Sequence, residues 1–133
     1  MANFALDIKQ WANATDDAMR DVLQATALKL LGRIIKRTPV DTGRARGNWQ
    51  VGINTRPPGS TLDVDKSGRS TEASGGRNIS RAKVSDRISI VNNLPYINVL
   101  EMGDHSSQAP NGMVRVTVTE FNTILDTTVK EER

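Results

Sequence analysis

Cysteine is absent from the 133 residues. That removes disulfides, thiolate zinc sites, cysteine nucleophiles and iron–sulfur clusters. Histidine occurs once, so a site built on several imidazoles is excluded as well. No run of about 18 apolar residues occurs, so the sequence predicts no membrane span. Met1-Ala2-Asn3-Phe4 lacks the basic start and apolar run of a signal peptide, which leads to an expectation of cytoplasm or an assembly made there. Neither a Gly-Lys-Ser/Thr phosphate loop nor a Gly-x-Gly-x-x-Gly run is present. A Ser-His-acid triad cannot be defined from one histidine among many serines. Asp16-Asp17 and Glu131-Glu132 are sequence neighbours on predicted helices and do not face each other across a cleft. The sequence therefore predicts no enzyme and no cofactor.

What remains is 37% hydrophobic and 25% charged residues, enough for one domain over 1–133 with a single core. The net charge of +3 is unevenly spread. Residues 33–56 carry six bases and one acid, residues 66–87 six bases and two acids, and residues 101–133 three bases and six acids. A basic middle with an acidic end suits a nucleic-acid contact or a subunit that docks against its own copies, and equally a solvated surface.

Phe4, Ile8, Trp11, Met19, Val22, Leu23, Leu30 and Ile34 recur mostly at three- and four-residue steps, which predicts an amphipathic helix. It runs either over about 5–37, or as a short helix followed by 15–37 with Thr15 as cap. Thr38-Pro39 ends it. A helix of about 32 residues would be about 48 Å long, against a radius of gyration of about 14 Å for such a domain. Its overhanging apolar stripe would need cover from another subunit. In Pro39-Val40-Asp41-Thr42-Gly43-Arg44, Asp41 is placed to accept backbone N–H bonds and Gly43 to take a positive φ. Trp49, Val51 and Ile53 alternate with polar or small residues, which predicts a strand with Trp49 packed on the long helix. Seventeen of the 26 residues in 55–80 are Gly, Pro, Ser, Thr, Asn or Asp, so this stretch reads as a long flexible loop. Residues 79–84 could form a helical turn. Residues 87–92 predict a second strand, and 96–102 a third strand or a short helix. Asn111 reads as the cap of a C-terminal helix with Val114, Val118, Phe121 and Leu125 on one face, with a strand over 113–119 as the alternative. The whole is an α+β domain: a long N-terminal and a C-terminal helix packed on a small, mainly antiparallel sheet.

Three clusters carry possible chemistry. Glu101, Asp104 and His105 could hold a divalent metal, but without a second histidine an exposed polar loop explains them better. Asp63-Val64-Asp65-Lys66-Ser67-Gly68 has the opening of a calcium loop, yet its twelfth position is Ser74 in place of glutamate; a turn-rich loop accounts for the same residues. Arg44, Arg46, Arg56, Lys66, Arg69, Arg77, Arg81, Lys83 and Arg87 could form a basic surface making phosphate contacts without sequence readout. Only Trp49 and Tyr96 lie near them in sequence, so base stacking has little support.

Two stretches, read together, point further. One is Arg37-Thr38-Pro39-Val40-Asp41-Thr42-Gly43-Arg44-Ala45-Arg46-Gly47-Asn48-Trp49. The other comprises Asn92-Asn93-Leu94-Pro95-Tyr96, then Leu100-Glu101-Met102-Gly103, then Ser107-Gln108-Ala109-Pro110-Asn111-Gly112-Met113-Val114. In this order they resemble the tail-completion (neck, or minor tail, lambda protein Z-like) family of long-tailed bacteriophages. Ala45 stands where that family usually has a larger apolar residue, and Met102 where an aromatic is common. The resemblance implies a virion structural protein at the head–tail junction, made in the host cytoplasm. It would complete or join the tail as a ring, a hexamer, around the DNA channel. Copies of itself, neighbouring neck and tail proteins and packaged DNA would be its partners, with no membrane. The motif and interface candidates are Pro39, Asp41, Thr42, Gly43, Arg44, Trp49, Tyr96, Glu101, Gly103, Gln108 and Pro110. The possible DNA-facing residues are Arg56, Lys66, Arg69, Arg77, Arg81 and Lys83. The alternative is a small DNA-binding protein, without sequence specificity, using the basic middle.

Overall fold

The computed structural model describes residues 16–103, 108–109 and 111–132. The expected helix start near residue 5, the Thr15 cap, Asp104, His105 and Pro110 lie outside the described residues. The element order is α1 (Asp16–Arg37), α2 (Arg44–Gly47), β1 (Trp49–Ile53), α3 (Arg69–Ile79), β2 (Ile88–Asn92), α4 (Ile97–Glu101), α5 (Val114–Thr119) and α6 (Phe121–Glu132). The α+β class holds, with β1 and β2 forming a two-stranded antiparallel sheet. No described helix is long and apolar enough to cross a membrane.

Helix α1 begins with Asp16 and Asp17 and ends with Lys36 and Arg37, each sign at the end where it opposes the helix dipole. It lies between two helices, α3 on one flank and α6 on another. Its fully buried positions are therefore Thr26, Ala27, Leu31, Gly32, Ile34 and Ile35, while Met19, Val22, Leu23 and Leu30 are only half-buried. Burial on two flanks spreads the apolar surface around the helix and blurs a single stripe. Leu31, Ile35, Trp49, Val51, Ile79 and Met113 form the centre of the core.

The reading of 55–80 as a loop is corrected by α3. This helix carries Gly75 and Gly76, residues that normally weaken a helix. Here Gly75 lets it approach α1: a Cβ on Gly75 would stand 2.4 Å from Leu31 Cδ2 and 3.0 Å from Val51 Cγ2. The helix is started by Asp65, whose Oδ2 accepts from Thr71 N–H and Oγ1 (2.8 Å each) and whose Oδ1 accepts from Gly68 N–H at 3.1 Å. Asn78 Nδ2 fastens it to Val51 O at 3.1 Å. The preceding segment is tied down too, through Gln50 Nε2 to Gly59 O and Asn93 Nδ2 to Pro57 O. The helical turn expected at 79–84 is the end of α3 and the turn after it.

Residues 97–101 take the short-helix alternative. The C-terminal region is helical but broken at Glu120 (φ −95, ψ 0). The buried positions, Met113, Thr117, Ile124, Leu125, Thr128 and Val129, keep one helical phase across the break and differ from the expected face in its first half, where Val118 is 61% exposed. Thr117 and Thr128 are tolerated inside because each hydroxyl donates to a carbonyl four residues back, at 2.7 Å. Helix α6 runs antiparallel to α1, joined by Lys29 Nζ to Glu131 Oε2 at 2.7 Å and by Arg33 and Arg37 to Glu120. The two arginines hold the Glu120 carboxyl down to about 2; the Arg37 hydrogen bonds are the largest cause and outweigh partial desolvation.

Candidate functional site

The corner after α1 is built from its own polar groups. Thr38 Oγ1 donates to Ile34 O at 2.7 Å and accepts Trp49 Nε1–H at 2.8 Å. The end of α1 and the start of β1 are thereby pinned by one hydroxyl, with Trp49 buried as the sequence predicts. Arg46 reaches back and gives its three nitrogens to three carbonyls: Thr38 O at 2.9 Å, Lys36 O at 2.9 Å and Lys66 O at 2.8 Å. Cations at a helix C-terminus satisfy carbonyls that lack intrahelical partners. Arg46 thus serves the fold and is withdrawn from the basic surface. Arg44 turns the same way, with Nε 3.4 Å from Thr61 O.

Gly43 has φ +91, as its place in the turn demands. Its carbonyl accepts from Gly47 N–H and Asp65 N–H, both at 3.0 Å. A Cβ there would stand 2.6 Å from Lys66 N and 2.9 Å from Asp65 C. The side-chain acceptor in the turn is Thr42 Oγ1, which takes Arg44 N–H at 3.2 Å. This corrects the expectation for Asp41, which is exposed. The hydroxyl at 42 lies one residue nearer the N–H that needs a partner.

Gln108 closes the other side. Its Oε1 accepts Val40 N–H at 2.9 Å and its Nε2 donates to Val40 O at 3.2 Å. A side-chain amide here pairs with the main chain as a neighbouring strand would. Pro39, Asp41, Thr42, Gly43, Arg44, Tyr96, Leu100 and Gln108 line one hollow of about 380 Å³. Motif stretches separated by some 50 to 70 positions in the chain therefore meet at one place.

Glu101 is committed elsewhere. Its carboxylate accepts three successive backbone N–H groups at the start of α5, from Met113 (3.1 Å), Val114 (2.8 Å) and Arg115 (3.0 Å), and lies 3.3 Å from Arg115 Nε. The expected Asn111 cap is corrected to this distant carboxylate. Burial pushes the Glu101 carboxyl up, but the N–H bonds outweigh it and hold the group below its usual range. Gly112 (φ +82) leaves room: a Cβ there would be 2.3 Å from Glu101 Oε2. Gly103 (φ +82) ends α4, its N–H donating to Leu100 O at 3.1 Å. No group of three metal-ligating side chains occurs among the described residues. Asp65, the central acid of the calcium-like run, has both oxygens engaged in starting α3.

Around the hollow the surface is apolar. Tyr96, Val99 and Met102, at three-residue steps along α4, are 38%, 41% and 59% exposed. Beyond the corner, Leu62 and Val64 are 80% and 59% exposed. Of these, only Tyr96 stands among the sequence candidates; the 96–99–102 spacing was the available signal for the others. Arg56, Lys66, Arg69, Arg77, Arg81 and Lys83 are all exposed, and none forms an ion pair among the described residues.

A structural module with a rigid corner and an apolar rim that no described residue covers is the class that this geometry defines. Residues 2–103 match the HK97-gp10-like family, described as "Bacteriophage HK97-gp10, putative tail-component". The chain belongs to this family, and the tail-completion resemblance agrees with it. It is a structural component of a phage tail, and its place is the virion. No curated protein and no solved structure matches it.

Proposed function

We propose that the chain is a single docking module at the head–tail junction that completes or joins the tail as a ring, a hexamer, around the DNA channel, without catalysis. The observation that carries this reading is the exposed stripe Tyr96, Val99 and Met102 beside the corner that holds the family motif. Water-exposed apolar side chains grouped on one element mark a surface that a partner covers. The motif residues from Pro39 to Arg44, with Gln108, hold that surface in shape, and neighbouring neck and tail proteins are the partners it fits. Glu101 and Gly103 fix α4 and α5 beneath it. Repeated copies would sum the exposed cations Arg56, Lys66, Arg69, Arg77, Arg81 and Lys83 into a positive field toward packaged DNA. Assembly would take place in the host cytoplasm.

An electron-microscopy map of the intact particle tests the reading. Density for this chain as a closed ring at the neck is the expected result; its placement elsewhere in the particle refutes it. The DNA-binding alternative is favoured by one observation, the six exposed cations that form no ion pair among the described residues. It requires the isolated chain to bind duplex DNA with an affinity that falls steeply with salt. If changing Arg69, Arg77, Arg81 and Lys83 to alanine leaves assembly and DNA retention intact, the channel-facing orientation is wrong.

A further inference from the structure

Two backbone edges that have no partner among the described residues point to how copies of the chain join. In the sheet, Gln50 faces Val91, Gly52 faces Ser89, and Asn54 N–H donates to Arg87 O at 2.8 Å. Val51 O is turned outward and accepts from Asn78 of α3. Hydrogen-bonded and non-bonded pairs alternate in an antiparallel ladder. The N–H and C=O groups of Ile88 and Ile90 therefore point off the far edge of β2. No described residue bonds to them, and no element besides β1 packs along β2 more than marginally. The far edge of β1, by contrast, is covered by α3. Two strands alone make a marginal sheet, and a bare edge is a template for another strand.

The same chain carries a segment suited to that edge. Thr61 N–H donates to Asn48 Oδ1 at 2.8 Å and Asp65 N–H to Gly43 O at 3.0 Å, which fastens the segment to the corner. Between these anchors, the backbone groups of Leu62 and Val64 have no partner among the described residues, and both side chains stand in solvent. Held to the corner at both ends, the segment cannot fold back onto β2 of its own chain. The charges match as well: Asp63 is exposed within the segment, and Arg87, exposed and without an ion pair among the described residues, borders the β2 edge.

We propose that Leu62-Asp63-Val64 of one copy adds as a third strand to the open β2 edge of the next. This rests on the ring reading above. Main-chain bonds would supply the affinity, Leu62 and Val64 the apolar cover, and Asp63 with Arg87 the direction. Edge and added strand are different surfaces, so the contact runs head to tail and closes into a ring when the rotation permits.

The absence of cysteine makes the test clean. Asp63→Cys and Ser89→Cys, which the proposed pairing of Asp63 with Arg87 places on the same face of the sheet, are prepared as separate full-length variants, allowed to assemble singly and mixed, and treated with a short bismaleimide that tolerates a small offset in register. A cross-linked dimer only in the mixture is the expected result, with the double variant giving a ladder that ends at the ring size. Dimers from Ser89→Cys alone would mean twofold pairing of β2 with itself and overturn the proposal. Rings that assemble without cross-links overturn it and leave the ring reading standing; absence of any ring, alone or with tail partners, overturns both. Amide exchange adds a second arm. The Ile88 and Ile90 amides should exchange rapidly in the free chain and become protected in the ring, and protection already in the free chain refutes an open edge. Leu62→Lys with Val64→Lys should abolish rings while leaving the melting temperature of the protomer unchanged.

Discussion

Replacing Gly43 with alanine should cost far more than the same change at Gly59, although both glycines have positive φ (+91 and +80). A non-glycine residue in the left-handed region costs about 1–2 kcal/mol, and that is the whole penalty at Gly59, where a Cβ would meet nothing within 4 Å. At Gly43 the new Cβ would stand 2.6 Å from Lys66 N, a backbone atom that cannot swing aside. The 65–66 backbone must retreat, which breaks the Asp65 N–H bond to Gly43 O, worth about 1 kcal/mol. It also displaces Asp65 from the start of α3, where loss of a cap costs about 1 kcal/mol more. The sum is about 3–4 kcal/mol, a large part of a total stability of about 5–15 kcal/mol. Gly43→Val should be worse, because a β-branched side chain meets the same wall. Urea denaturation of both alanine variants, followed by far-UV circular dichroism, reads the difference. If Gly43→Ala proves no more costly than Gly59→Ala, the close approach of corner and segment has been misread.

The adjacent glycines of α3 should respond in opposite directions. Gly75→Ala forces a methyl into Leu31 and should destabilise by about 1–3 kcal/mol. Gly76→Ala, with only Leu28 Cδ1 at 3.4 Å, should stabilise by about 0.5–1 kcal/mol in the same assay; equal effects would contradict the packing. Glu101→Ala strips three N–H groups of their acceptor and should cost about 2–3 kcal/mol, with loss of helix signal from α5. The carboxyls of Glu120, Glu101 and Asp65 are lowered in the fold, so each contributes stability that is complete above its usual pKa and is lost as pH falls through the folded value. For Glu120 the window runs from 4.5 down to about 2. Glu120→Gln should flatten the acid limb of a stability–pH curve there, and an unchanged limb would count against the Arg33–Glu120–Arg37 cluster.

Much of this architecture could be read from residues alone. Period-two alternation at 49–53 gave the first strand, the 87–92 stretch reads as the second, and the Pro-Val-Asp-Thr-Gly run gave the turn with its positive φ. Helix α3 stayed hidden because its glycines and serines have the composition of a loop; only α1 lying against them explains their presence in a helix. The buried face of the C-terminal region was misread because threonines, Thr117 and Thr128, take inner positions by returning their hydroxyls to the backbone, and a carboxylate held by Arg33 and Arg37, more than 80 positions earlier, has no local signature. The candidate site was half legible. Motif order indicated that Pro39 to Arg44 and Gln108 belong together. That Arg46 and Glu101 are spent on internal carbonyls and N–H groups required knowledge of which chain ends come near them.

The amide clasp between Gln108 and residue 40 divides the burden of identity unevenly. Because Gln108 grips the peptide group of Val40 and ignores its side chain, position 40 can drift among residues of similar bulk without loosening the corner. Position 108 has no such freedom: asparagine falls one methylene short, and glutamate offers nothing to the carbonyl. Related phage chains should accordingly vary at the gripped residue and hold fast at the gripping one.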